Sequence, residues 1–153
     1  MQLGTKERAA FAAAEKAIES GLCAGTTIMT MKGEVPVEHL QVGDRVITRD
    51  AGMSVVTAIT SKTTKIKPIR IKAGSLGHTR PDRDMIVAPG TQLHIRDWRA
   101  EALFGAPTAT VEAHRLLDGE FLAQQDAQEA VVFDVKFDRQ HIIYADGIEV
   151  VSS

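Results

Sequence analysis

The sequence contains no asparagine and only one cysteine, one tryptophan and one tyrosine. Without asparagine, no peptide bond can be broken by cyclisation of an asparagine side chain. The single thiol, Cys23, excludes an intramolecular disulfide and gives no support to a zinc site. No stretch approaches the ~18 consecutive apolar residues of a membrane span. Charge of one sign is not in excess either: 18 Lys and Arg stand against 20 Asp and Glu, so no general pull toward nucleic acid or an anionic membrane is expected. Internal repeats, glycine-rich phosphate loops and Gly-Gly-x-Gly-x-Asp calcium nonapeptides are missing. His39, His78, His94, His114 and His141 are scattered without a His-x-x-x-His pair. No metal and no cofactor are therefore expected.

What is present reads as one soluble domain. With 153 residues, 44% hydrophobic and 25% charged, the chain is long enough to bury ~70% of its unfolded surface. Residues 1–20 form a first unit. Thr5–Ser20 is alanine-rich and predicts a helix, with Thr5 as N-cap and Gly21 as the left-handed stop. Phe11, Ala14, Ile18 and Leu22 lie on one apolar stripe of this arm, suited to docking on its own domain or on a protein partner. The oligomeric state stays open. Lys6, Glu7, Arg8, Glu15, Lys16 and Glu19 are spread through the arm, unlike the charged-then-apolar order of a signal peptide. A cytoplasmic location is expected, with export that leaves the N-terminus intact as the alternative.

From Gly21 to residue 153 the periodicity changes from 3.6 to two, which predicts a mostly β domain. Thr26–Met31 and Arg45–Thr48 are β-type runs around Lys32-Gly33 and Gly43-Asp44. Met53–Lys62 follows the turn Asp50-Ala51-Gly52. Lys65–Lys72 alternates Ile66, Ile69 and Ile71 with basic residues and is broken by Pro68, which predicts an edge strand guarded by lysine. No aromatic residue is interleaved, so this is not read as a nucleic-acid stripe. Ala73–Asp84 reads as a loop. Trp98, Leu103 and Phe104 are expected to plug the core. Thr110–Leu117 is expected to form one or two helical turns. Val131, Phe133, Val135 and Phe137 should face inward along one strand, and Asp146-Gly147 signals a hairpin turn.

Six stretches stand out: CAGTTIMT and VEHLQVGDRVITRDAG early, IKAGSLG, IVAPGTQLHIRDWRAEALFGAP and VEAHRLL in the middle, and VKFDRQHIIYADG late. Together they resemble the Hint domain, the hedgehog/intein self-processing fold, in its bacterial branch. The likeness extends over most of Gly21–Gly147, in matching order and spacing. It implies a horseshoe-like, nearly all-β domain preceded here by the helical arm. It also implies peptide-bond rearrangement: an opening Cys or Ser attacks the preceding carbonyl, a middle His protonates the departing nitrogen, and a late His supports resolution.

This chain departs from that pattern at each catalytic place. The opening nucleophile falls on Gly21, the middle His on Thr91 and the late His on Gln140. The first reading is thus a degenerate Hint-like module that has lost self-processing and acts in binding or structure, with a polar notch left near Gly21, Thr91 and Gln140. A second reading, from a different class, is a self-processing enzyme that uses Cys23 or Thr26 with the displaced His94 and His141. A third is a hydrolase built on Cys23, His141 and an aspartate.

Overall fold

The computed structural model describes residues 19–153. The predicted helix over Thr5–Ser20 lies almost wholly outside them. Beyond it the chain is dominated by strands, as the two-residue periodicity predicts. The strands are β1 (Leu22–Cys23), β2 (Thr27–Thr30), β3 (Gly33–Pro36), β4 (Arg45–Thr48), β5 (Gly52–Val55), β6 (Ala58–Ile66) and β7 (Ile69–Ile71). They continue with β8 (Met85–Val87), β9 (Gln92–Ile95), β10 (Ala109–Glu112), β11 (Leu122–Gln124), β12 (Gln128–Lys136), β13 (Ile142–Ala145) and β14 (Ile148–Val151). A seven-residue helix, α1 (Trp98–Phe104), follows β9.

Two antiparallel sheets share the core. One has the order β11-β7-β8-β1-β12-β6; the other runs β10-β9-β14-β13-β2-β4-β5, with β3 paired to β2. The short β1 sits inside the first sheet, Leu22 opposite both Phe133 and Val87 and Cys23 opposite Val132. Its neighbours hold it from both sides, and this fixes the place of Gly21. The main core gathers Ile28, Val46, Ile69, Ile71, Leu93, Ile95, Ile143 and Ile148, branched residues that pack well on pleated surfaces. The Asp146-Gly147 turn closes the β13–β14 hairpin with positive φ at both residues (48° and 89°), as a two-residue turn of this hand requires.

Four expectations need correction. Trp98, Leu103 and Phe104 do not plug the core; Trp98 is 68% exposed and the others also reach solvent. Helix α1 turns only Arg99 and Ala100 inward. The Arg99 guanidinium donates to the Ser75 carbonyl (2.8 Å) and pairs with Asp97, so a buried cation anchors the helix and Trp98 lies over it, 4.7 Å from ring centroid to guanidinium carbon. Lys65–Lys72 is two strands, not one: Pro68 ends the pairing of β6, which is an edge, whereas β7 is interior between β11 and β8. Thr110–Leu117 is half strand and half 3-10 turn (Ala113–Leu116). Finally, Val131 is exposed and Val132 buried: Val132 joins Cys23, Ile66 and Ala88 in a small second cluster on one face of β12, while on the other face only Val135 and Phe137 enter the main core, with Phe133 packed against it.

Candidate functional site

The insertion of β1 brings Gly21 against the turn that follows β8. The Gly90 N–H donates to the Glu19 carbonyl (2.7 Å) and the Ala88 N–H to the Gly21 carbonyl (3.3 Å). The same turn presents Thr91, which is buried. Its Oγ1 accepts from the Gly21 N–H at 3.0 Å and donates to the Gly21 carbonyl at 2.9 Å. A hydroxyl has one hydrogen and two lone pairs, so both bonds form at once. Gly21 has φ +133° and no room for a side chain: a Cβ there would lie 2.5 Å from Val132 Cγ1 and 2.7 Å from the Phe133 carbonyl oxygen.

Beside this pair is a notch of about 160 Å³. Gly21, Thr91 and Gln140 all line it, together with Ser20, Asp134, Ser152 and Ser153 at the polar rim and Phe133, Val135, Ile143 and Val150 as apolar walls. Gln140 comes from the turn before β13, and Ser152 and Ser153 follow β14. The amide run Ser20–Gly21 and residues 152–153 thus face one small polar space.

The displaced candidates lie elsewhere. Cys23 is buried in the second cluster, and burial pushes its thiol up from its ordinary value, which disfavours the thiolate. Thr26 is buried; its backbone N–H donates to the Cys23 carbonyl. His94 does not line the notch; its Nδ1 lies 3.8 Å from Glu149. The His141 ring is held between two carboxylates, Nδ1 to Asp50 (2.9 Å) and Nε2 to Asp138 (2.9 Å). Cys23, Thr26, His94 and His141 therefore do not converge, and none of them lines the notch. Productive geometry requires reacting atoms within ~3–3.5 Å.

The sequence offers Asp50 only as a turn carboxylate, and it marks neither Asp50 nor Asp138 as a partner of His141. The His141 ring holds the Asp138 carboxyl below the usual carboxylate range, aided by the Ser54 hydroxyl. Burial raises Asp50, but the Ile142 N–H and His141 outweigh it and the net direction is down. A spacing of three residues could have suggested Asp138; nothing local could suggest Asp50, 91 positions from its partner. A second cluster was also missed. Glu149 is wholly buried, and burial alone would raise its carboxyl, yet the Arg96 hydrogen bond and the charges of Arg80, Arg96 and Arg49 bring it below the ordinary range. Among the described residues, no group of three or more His, Cys, Asp or Glu is placed to hold a metal.

A family model for the Hint domain matches residues 20–153. The chain belongs to the Hint domain family. Solved structures agree on the fold of this Hint domain. It is similar to a DnaB intein from Synechocystis sp. PCC 6803 (TM-score 0.60, 12% identity, covering 88% of this chain and 99% of that one). It is also similar to the bacterial intein-like domain from Clostridium thermocellum (0.58, 17%, 88% and 99%) and to the gp41-1 intein (0.56, 16%, 86% and 98%). At such identities the likeness establishes the fold alone. No curated protein matches by sequence. No helix among the described residues is long and apolar enough to cross a membrane.

Proposed function

We propose that this Hint domain has lost self-processing and serves as a binding or structural module. The observation that carries the reading is the space at Gly21. A nucleophile's side chain starts with a Cβ, and here that atom would collide with Val132 and with the Phe133 carbonyl. The backbone at the opening position is built around having no side chain at all.

Two further features support it. An acyl shift needs a proton delivered to the departing amide nitrogen. The Gly21 nitrogen instead donates its own hydrogen to Thr91, an uncharged hydroxyl that does not titrate near neutral pH. Gln140, at the position expected for the late His, can hydrogen-bond but cannot shuttle a proton at that pH either. General acid–base help is commonly worth ~10²–10⁴ in rate, and both contributions are absent along with the covalent route. What remains is a small notch with hydroxyl, amide and carboxylate groups at its rim, suited to hydrogen-bonded contact with a protein segment.

Hydroxylamine tests the reading, because it cleaves a thioester or ester formed at the Leu22–Cys23 or Gly25–Thr26 junction, where the rival nucleophiles Cys23 and Thr26 would act. Incubation at pH 7–8 should leave the intact mass unchanged. Release of a fragment ending at Leu22 or Gly25 would contradict it.

A further inference from the structure

We propose that Arg49, Arg80 and Arg96 form a preorganised site for a compact oxyanion of the phosphate class. Alternation along β14 sends Ile148 and Val150 into the core and Glu149 to the other face of the sheet, opposite His94 on β9 and Tyr144 on β13. Three arginines from separate parts of the chain close over Glu149. Arg80, from the 73–84 loop, and Arg96, after β9, donate to Oε2 at 2.5 and 2.8 Å. Arg49, after β4, brings Nε to 2.9 Å from Oε1, without hydrogen-bond alignment. The Glu149 side chain is fully enclosed, whereas those of Arg49, Arg80 and Arg96 are 37%, 22% and 36% exposed.

The charges do not balance. Three guanidinium groups against one carboxylate leave a surplus of at least two positive charges, His94 adding to it when protonated. Neighbouring acids do not absorb it: Asp50 is engaged by His141 and Arg139, and Asp97 by Arg99. A structural salt bridge needs one cation per carboxylate; Glu149 gathers three. Each guanidinium carries five N–H donors in a rigid fork, and Glu149 takes one nitrogen from each, which leaves outward donors on all three. The buried carboxylate acts as a peg that holds the forks side by side. Ordering of long side chains, ordinarily a large part of the cost of binding an anion, is already complete. A compact dianion matches the surplus charge and the multiple donors better than a monovalent anion does.

The test uses the full chain with inorganic phosphate as probe, sulfate as a dianion of fixed charge and acetate as the monovalent control. Titration is followed by calorimetry at low ionic strength and by the side-chain Nε–Hε NMR signals of arginine. The expected result is one saturable phosphate or sulfate per chain, shifts confined to Arg49, Arg80 and Arg96, and no saturation with acetate. Arg80→Gln, which leaves Glu149 two cationic partners, should weaken the binding by about tenfold or more, a loss of charge-assisted hydrogen bonds. Arg49→Lys keeps the charge, removes the fork and should weaken it as well. No saturation with either dianion would overturn the proposal. So would shifts spread over surface basic residues, or affinity unchanged in both variants.

Discussion

Thr91 grips the backbone of Gly21 at both ends: one hydroxyl accepts from its N–H at 3.0 Å and donates to its carbonyl at 2.9 Å. The contact joins residues 70 positions apart and fastens β1 to the turn after β8. Thr91→Val keeps the shape and deletes both bonds, leaving two part-buried backbone groups with one partner fewer. Urea unfolding should show a loss of about 1–3 kcal/mol, and Thr91→Ser should restore most of it. Equal stability of the valine and serine variants would mean that water replaces the hydroxyl.

Gly21→Ala should destabilise by more than Gly25→Ala. Both positions have positive φ, so both variants carry backbone strain of about 1–3 kcal/mol. Only Gly21 adds a collision, and overpacking of this kind costs a further ~1–3 kcal/mol; a Cβ at Gly25 meets nothing within 4 Å. Parallel denaturation curves for the two variants decide the matter, and equal losses would show that β12 moves aside freely.

Trp98→Ala should cost no more than about 1–2 kcal/mol, since the ring is exposed and loses one cation–π contact with the buried Arg99 guanidinium. Arg99→Ala should do more, up to the ~3–5 kcal/mol lost when one partner of a buried ion pair is removed. As the only tryptophan, Trp98 also reports its surroundings: native emission should resemble that of a solvated indole and be readily quenched by acrylamide. A thermal scan with a larger drop for Trp98→Ala than for Arg99→Ala would reverse the assignment of the anchor.

These positions show what was legible in the sequence. Period-two alternation and turn residues carry the mostly β class and the Asp146-Gly147 hairpin, because both are local; the order of strands within the sheets is not. The resemblance to the Hint family implies that Gly21, Thr91 and Gln140 belong to one site, and all three line the notch. Side chains whose partners are remote were read wrongly or not at all. Size alone suggests a core place for Trp98, yet the buried side chain is its neighbour Arg99, satisfied by Ser75 and Asp97. Glu149 stands in an apolar run, Ile148–Val151, and nothing nearby shows that arginines from three distant segments will enclose it. The same holds for His141, whose partner Asp50 lies 91 positions away.

Acid should unfold the domain through its depressed carboxyls. The His141 hydrogen bond holds Asp138 down; Asp50 and Glu149 are raised by burial but more than compensated, Asp50 by the Ile142 N–H and His141, Glu149 by Arg96, Arg80 and Arg49. With folded values below the unfolded ones, near ~4, the unfolded chain takes up protons first. Their stabilisation is therefore fully present above about pH 4 and is lost as pH falls through the folded values. Urea midpoints should change little from these groups between pH 7 and 5 and drop below about 4, with a shallower acid limb in Asp50→Asn. An acid limb unchanged in that variant would remove Asp50 from the explanation.

The proposed loss of self-processing is tested most directly by intact-mass spectrometry of the full chain after prolonged incubation at pH 7–8 with dithiothreitol, alongside Cys23→Ala. The expected result is a single unchanged mass in both proteins. New fragments cut within residues 20–23, present in the parent protein and gone in Cys23→Ala, would show that Cys23 performs the chemistry that Gly21 cannot, and the domain would be a working self-processing enzyme.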